Sequence, residues 1–359
     1  MTGLIRVVCR TGSRPHRVSW REPWPVPRPV ASFDYNRLLM RPPFHWDIGT
    51  RSLPLGERTL VMGVVNVTPD SFSDGGRYFE PAAAVEHALQ LLDEGADILE
   101  VGGESTRPGA AVSPGFDSAE LRTPQRRVAI SIAEELRRVL PVIQEIKRAR
   151  PDCVVSVDTY KAEVARAAIA AGAEIVNDVS AFRWDPAMAN TVAELGSGAV
   201  LMHMRGRPEE WRNLPPPEDV IGMVCQELRH CVRAAMDASV RRERIALDPG
   251  FGFGKNFEQN YPLLSRLDEL HDLGFPLVVG TSRKSFIGRA LRRDGRDAPV
   301  EERAFGTLAS ETAAMLKGAH IIRTHDVKAC VDAARIADAL LRAGSQEAGV
   351  RSRRSAKDV

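Results

Sequence analysis

Thr59-Leu-Val-Met-Gly-Val-Val-Asn-Val-Thr-Pro-Asp-Ser-Phe-Ser-Asp-Gly-Gly76 begins as an almost unbroken apolar, β-branched run over residues 59–67 and then turns polar. A run of this kind reads as a strand buried on both faces, as parallel strands are. At its end stands an amide, Asn66. Thr68, Asp70, Ser71, Ser73 and Asp74, with Pro69, Gly75 and Gly76, then form a turn-forming loop carrying one aromatic, Phe72, before a helix starts near Pro81. A buried strand that ends in an amide and opens into a long polar loop reads as a site, with an ordinary surface connection as the plain alternative.

Outward from this strand, residues from about 55 to 345 alternate short apolar runs with longer amphipathic stretches. That alternation predicts parallel strands joined by helical crossovers. The candidate strands are 59–67, 97–102, 153–158, 174–178, 199–203, 244–248, 276–281 and 319–324. Helical patterns lie at 81–95, 126–149, 161–172, 186–196, 219–241, 257–273, 303–317 and 327–343. Eight βα units in roughly 290 residues are what an α/β fold of the (β/α)8 TIM-barrel type requires. An open doubly wound sheet accommodates six or seven such units, so periodicity alone leaves it as the alternative.

The strand ends narrow the choice. In order they offer Asn66, Gly102-Gly103-Glu104, Asp158, Asn177-Asp178, Met202-His203, Asp248, Ser282-Arg283-Lys284, and Arg323 with His325. Barrel enzymes build active sites at the C-terminal ends of their strands, which makes this rim the candidate site. Taken singly, an Asp or Asn after a strand reads equally well as a helix N-cap. Caps alone do not explain a lysine, an arginine and further carboxylates on one rim.

Composition bounds the rest. The 359 residues, 43% of them hydrophobic, are enough to bury a sizeable core. With 49 Lys plus Arg against 47 Asp plus Glu, the net charge of +2 gives no reason to expect nucleic acid or an acidic membrane as partner. No apolar run approaches the ~18 residues of a membrane span. The five cysteines, Cys9, Cys153, Cys225, Cys231 and Cys330, are odd in number and show no zinc spacing, so they read as free thiols of a cytoplasmic protein.

Residues 1–45 are rich in Arg and contain Glu22-Pro-Trp-Pro-Val-Pro-Arg-Pro29, a composition expected to stay extended outside the domain. They lack the apolar core of a secretory signal, resemble a transit peptide in charge, and leave Met40 as an alternative start. The expected domain is 46–344, with a basic disordered tail at 345–359.

Asp248-Pro-Gly-Phe-Gly-Phe-Gly-Lys255 superficially suggests a P-loop, but Pro249 and Asn256 stand where that motif needs Gly and Ser or Thr. It is not G-x-G-x-x-G either. The reading is that its glycines let backbone approach a flat ligand, with Phe251 and Phe253 as apolar walls. No H-E-x-x-H or G-x-S-x-G is present.

Together these segments resemble the dihydropteroate synthases. The matching stretches are Asn66–Gly76, Gly103-Glu-Ser-Thr-Arg-Pro-Gly109, Ser156-Val-Asp-Thr159, Ile175-Val-Asn-Asp178, Leu201-Met-His-Met204, Leu247–Asn256, Ser282-Arg-Lys-Ser285 and Ile322-Arg-Thr-His-Asp-Val327, spanning about residues 55 to 342. The resemblance implies a TIM barrel that condenses 6-hydroxymethyl-7,8-dihydropterin diphosphate with 4-aminobenzoate, using Mg2+, as a homodimer open to sulfonamide inhibition.

Roles follow from the resemblance residue by residue. Asp158, Asn177, Met202, Asp248 and Lys284 are implied to hold the pterin, with Asp248 accepting two hydrogen bonds from its aminopyrimidine edge. Asn66 is implied to meet the metal, and Arg323 and His325 the diphosphate, whose departure their charges suit. Phe72, Asp74, Thr106, Arg107, Pro108, Phe253 and Ser285 are implied for 4-aminobenzoate. Ser285, opening a helix, has N-capping as its alternative role. Catalytic weight falls on Asn66, Asp74, Lys284, Arg323 and His325, in a route that loses the leaving group early. No general base is obvious, and an arylamine needs none. After Gly109 the chain is longer than the family pattern, which reads as a surface insertion. A pterin-dependent methyltransferase and a non-catalytic relative are the competing readings; the first has no use for Ser282–Ser285 and Arg323-x-His325, and the second would lose part of the rim.

Overall fold

A short antiparallel hairpin, β1 (Phe44–Asp47) and β2 (Ser52–Leu55), precedes the repeating part of the chain, with Trp46 opposite Leu53. The computed structural model describes residues 41–67, 81–104 and 130–355, with Arg212 and residues 345–355 described by backbone alone. The chain divides into two units, Met1–Tyr35 and Asn36–Val359, and every described residue belongs to the second.

Eight strands follow: β3 (Leu60–Asn66), β4 (Ile98–Gly102), β5 (Val154–Asp158), β6 (Ile175–Asp178), β7 (Gly198–Met202), β8 (Ile245–Asp248), β9 (Val278–Val279) and β10 (Ile321–Thr324). Consecutive strands pair in parallel, β10 returns to β3, and a parallel bridge between Leu247 and Leu277 joins β8 to the chain entering β9. Strand order therefore follows sequence order around a closed ring, which a doubly wound sheet does not do. The expected strands all form, β7 shifted by one residue and the others shortened at one or both ends.

The helices are α1 (Pro81–Asp93), α2 (Ile132–Ala149), α3 (Ala162–Ala170), α4 (Met188–Leu195), α5 (Val220–Asp237), α6 (Asn260–Ser265), α7 (Ser285–Ala290), α8 (Ala304–Leu316) and α9 (Val327–Ser355). Local chemistry explains the best defined start: Ser131 accepts from the Glu134 amide at 3.2 Å, and Glu134 and Glu135 in the first turn of α2 complement its dipole. The single helix expected at 257–273 is instead α6 followed by a 3-10 segment, Leu267–Leu273, broken where Arg266 leaves helical geometry. Helix α7, which Ser285 opens as expected, was not among the periodic stretches, because six residues are too short to show a 3.6-residue period.

Two expected boundaries move. The packed unit includes Arg41, whose guanidinium is 3.2 Å from Asp338 on α9 while Asp338 also accepts the Thr59 amide at 2.8 Å. Helix α9 runs on to Ser355, across the position where a tail was expected to begin.

Period-two alternation inside the barrel sorts its side chains into layers. The first inward residues, Met62, Ile98, Val154, Ile175, Val200, Ala246, Val278 and Ile321, form one apolar cluster with Trp46, Ile48 and Leu55 of the hairpin. Trp46 is fully buried, and its indole donates to the Arg244 carbonyl at 2.9 Å. The hairpin thus plugs the N-terminal end. Residues of opposite parity, such as Val61, Val65, Leu99 and Val155, pack outward against Leu91, Val139, Ile143 and Ile146 of the helices. Two residues further along, six of these rows carry Glu100, Ser156, Asn177, Met202, Asp248 and Arg323, the other two carry Val64 and Gly280, and the core turns largely polar.

Candidate active site

Six residues make the floor of the barrel mouth. Asn177 on β6 is 1% exposed and donates through Nδ2 to Glu100 Oε1 at 2.9 Å and, less closely, to Asp158 Oδ1 at 3.5 Å. Glu100 on β4 accepts from Arg323 on β10 at 3.2 Å with its other oxygen. Asp248 on β8 accepts the Gly250 amide at 2.7 Å, and Met202 on β7 is fully buried. Burial raises the pKa of Asp158 well above the usual carboxylate range, and repulsion from Glu100 adds to it. Burial also raises Glu100 and Asp248, against the pull of Arg323. For Arg323, burial acts to lower the pKa, but Glu100, Asp248 and Asp158 outweigh it and hold the guanidinium charged. One cation thus balances three carboxylates in a space shielded from water.

Above this floor stand the rim residues. Lys284 places its ammonium 3.9 Å from the centre of the Phe253 ring, and burial, with Arg323 repelling it, lowers its pKa to about 7. Phe253 belongs to an apolar cluster with Tyr160, Val179, Trp184, Met202 and Met204, and Trp211 packs on it edge to face at 5.6 Å. The preceding residue, Arg283, sits at φ +57, a left-handed conformation rarely taken by a branched, charged side chain. It is held there by Thr307, which accepts its amide at 3.0 Å, and by Asp326, 2.5 Å from its guanidinium. Ser282 bridges to β10, accepting from the His325 amide at 3.2 Å with its hydroxyl 3.0 Å from His325 Nδ1. Asn66, at the end of β3, shares the inward parity of Met62.

A model of the pterin binding enzymes matches residues 62–325 of this chain. A dihydropteroate synthase of Clostridium beijerinckii is 43% identical over 296 residues, which is 82% of this chain and 99% of that one. The chain belongs to the dihydropteroate synthase family. Solved structures of dihydropteroate synthase from Xanthomonas albilineans superpose on it: one with 4-aminobenzoic acid at a TM-score of 0.71 and 42% identity, covering 83% of this chain and 98% of the other, and one with 7,8-dihydropteroate at 0.68 and 40%, with 83% and 98% covered.

Within this dihydropteroate synthase fold, Asp158, Asn177, Met202, Asp248, Phe253, Lys284, Arg323 and His325 gather at one mouth. Phe72, Asp74, Thr106, Arg107 and Pro108, and the insertion after Gly109, lie outside the described residues. Ser285 is the first residue of α7 and is exposed, while Lys284 occupies the cap position without a side-chain cap bond, so the capping role is not the one Ser285 plays.

Other readings are corrected by the packing. Phe251 is fully buried against Phe286 in the outer core, so of these two phenylalanines only Phe253 is placed to wall the mouth. Two glycines of this loop are required by the protein's own packing: a Cβ on Gly250 would lie 1.9 Å from the His203 carbonyl oxygen, and one on Gly254 2.3 Å from that of Arg205. His325 does not bring a charge to a diphosphate in the free protein, because burial and the nearby Arg283 and Arg323 lower its pKa to about 3.

Three groups escaped the sequence reading. Glu100 was hidden because β4 is buried on both faces, so its inward parity, two residues after Ile98, did not appear as alternation. Lys255 is buried beneath the glycine loop, 2.8 Å from both the Gly250 carbonyl and His203 Nδ1, and burial lowers its pKa to about 7. Lys161 ties together Glu104 at 2.8 Å, Glu135 at 2.5 Å and the Ile130 carbonyl at 2.9 Å, so the described ends of the 104–130 connection meet at one ammonium.

Proposed function

We propose that this chain joins 6-hydroxymethyl-7,8-dihydropterin diphosphate to 4-aminobenzoate, giving 7,8-dihydropteroate and diphosphate. The observation that carries the reading is the convergence of Asp158, Asp248, Lys284 and Arg323, close enough to perturb one another's protonation, with Asn177 bonded to Asp158, at the polar end of an otherwise apolar barrel. Buried acceptors suit the donor-rich edge of a pterin, and leaving them unpaired penalises other rings. Met202 and Phe253 supply flat apolar walls for the ring and for the incoming arylamine.

In the reaction the bond from methylene carbon to diphosphate oxygen breaks and a bond to the arylamine nitrogen forms, with that nitrogen then losing a proton. The arylamine is nucleophilic without a base, so positioning and charge carry the catalysis. Arg323 offsets negative charge gathering on the departing diphosphate, and His325, held neutral and oriented by Ser282, offers a hydrogen bond rather than a charge. Among the described residues no group of three His, Cys, Asp or Glu is arranged to hold a metal ion. A single amide oxygen at Asn66 nevertheless fits Mg2+, a hard ion that takes few protein ligands and completes its shell from phosphate and water. When bound there, Mg2+ supplies further charge to the diphosphate.

A homodimer through α8 and α9 is part of the proposal, supported by Phe305 at 88%, Ile336 at 65% and Leu340 at 55% exposure on these adjacent helices. No helix among the described residues is long and apolar enough to cross a membrane. A cytoplasmic location is supported by the free thiols of Cys153, Cys225, Cys231 and Cys330.

The test is diphosphate release by purified protein given both substrates and Mg2+. Release that depends strictly on 4-aminobenzoate and disappears in Lys284→Ala supports the reading. Well-folded protein that releases none, or that ignores 4-aminobenzoate, overturns it.

A further inference from the structure

Asn177 is held between two carboxylates. Its amide lies 2.9 Å from Glu100 Oε1 and 3.5 Å from Asp158 Oδ1, and the Glu100 carboxylate, ion-paired with Arg323, only accepts, so the NH2 end of the amide must face it. The planar group then turns its oxygen the opposite way. That oxygen has no hydrogen-bond partner among the described residues, although the side chain is 1% exposed. A native protein seldom leaves such an atom unpaired unless a ligand or an ordered water completes it. Glu100 is itself locked, because its other oxygen takes the Arg323 guanidinium at 3.2 Å, and at 2% exposure it has no solvent-facing alternative.

We propose that Glu100 is a positioning residue that sets the orientation of the Asn177 amide, so that Asn177 joins Asp158 and Asp248 in presenting acceptors and the mouth selects pterins by the donors on their edge. The inference rests on the pterin-binding reading given above and deepens it. Glu100 need not touch the ligand. Its carboxylate supplies the one feature, an acceptor without a donor, that forbids the flipped amide; a neutral amide at the same place permits both orientations.

The experiment measures affinity of the purified protein for free 6-hydroxymethylpterins lacking the diphosphate, which removes any part Arg323 plays toward phosphate. Two ratios are read by calorimetry: the 7,8-dihydropterin against its fully oxidised form, which replaces the N8–H donor by an acceptor, and the 2-amino ring against its 2-oxo analogue. In Glu100→Gln at least one preference falls by about ten-fold or more, the size expected when a buried polar pair is mismatched. The Michaelis constant for 4-aminobenzoate stays within about two-fold, and in an Asn177→Ala background the Glu100→Gln effect on the ratios vanishes. If Glu100→Gln does not fold, Glu100→Asp retains the charge beside Arg323 while withdrawing the acceptor, and the same loss of preference is expected. Ratios unchanged in a folded variant overturn the inference and leave Glu100 as a mere counter-ion of Arg323. A wild-type protein that binds none of these pterins would instead sink the reading on which it rests.

Discussion

The ammonium nitrogen of Lys284 lies 3.9 Å from the centre of the Phe253 ring, at the rim of the barrel mouth. Because burial lowers its pKa to about 7, the charged form is present below that pH and is lost above it. If the ammonium is what engages the substrate, kcat/KM falls about ten-fold per pH unit on the alkaline side of about 7. An arginine cannot lose its proton in this range, so Lys284→Arg, although slower at its maximum, should lack that limb. An alkaline limb unchanged in Lys284→Arg would assign it to another group, with Lys255 the first to examine.

Asn66 ends β3 with its side chain on the inward face, two strands from the Asp158 carboxylate. Replacing it by alanine should weaken the apparent Mg2+ dependence by at least the ~10–100-fold lost on removing an outer-shell partner. Binding of the free pterin should survive. Equal loss of both, measured by titration, would mean that Asn66 shapes the pterin site rather than the diphosphate end.

Trp46 seals the far end of the barrel. Its removal in Trp46→Ala leaves a cavity among Met62, Ile98 and Ile321, and should cost about 3–5 kcal/mol of stability in urea unfolding. Since the hairpin lies at the opposite end from the mouth, Michaelis constants of the folded variant should hold. A large change in them would show that the plug sets the position of the polar layer above it.

Glu311 on α8 is 1% exposed beside Cys330, and burial raises its pKa to about 8. In the unfolded chain it ionises near the ordinary ~4.3 of a glutamate. A group whose folded pKa is raised contributes stability that is complete below the unfolded value and is lost as pH rises through the folded one. Between about pH 4 and 8 the native protein should therefore lose stability relative to Glu311→Gln, which does not titrate. Melting temperatures of the two compared across that range would show it, and parallel curves would rule out a protonated Glu311.

Much of the site was legible because every inward row ends in a chemically distinctive residue. Asp158, Asn177, Asp248, Lys284 and Arg323 could be picked out as strand ends before any contact was known, since a polar group closing a β-branched run has few structural reasons to be there. Glu100 could not. It sits inside its strand, in a row buried on both faces, and its partners are 77 and 223 residues away. Phe251 and Phe253 look alike in the chain, yet one belongs to the outer core and the other to the mouth.

The sequence by itself determined that this chain alternates strand and helix eight times, where most of the strands stop, and which family's chemistry its strand ends carry. Those are local properties, set by apolar periodicity and by residue types at the ends of runs. Only the tertiary structure decided that the ring closes, that the hairpin fills its base, and that Glu100, Asn177 and Arg323 share one buried network. Closure depends on register between strands far apart in the chain, and register decides which parity faces inward, which no single strand records.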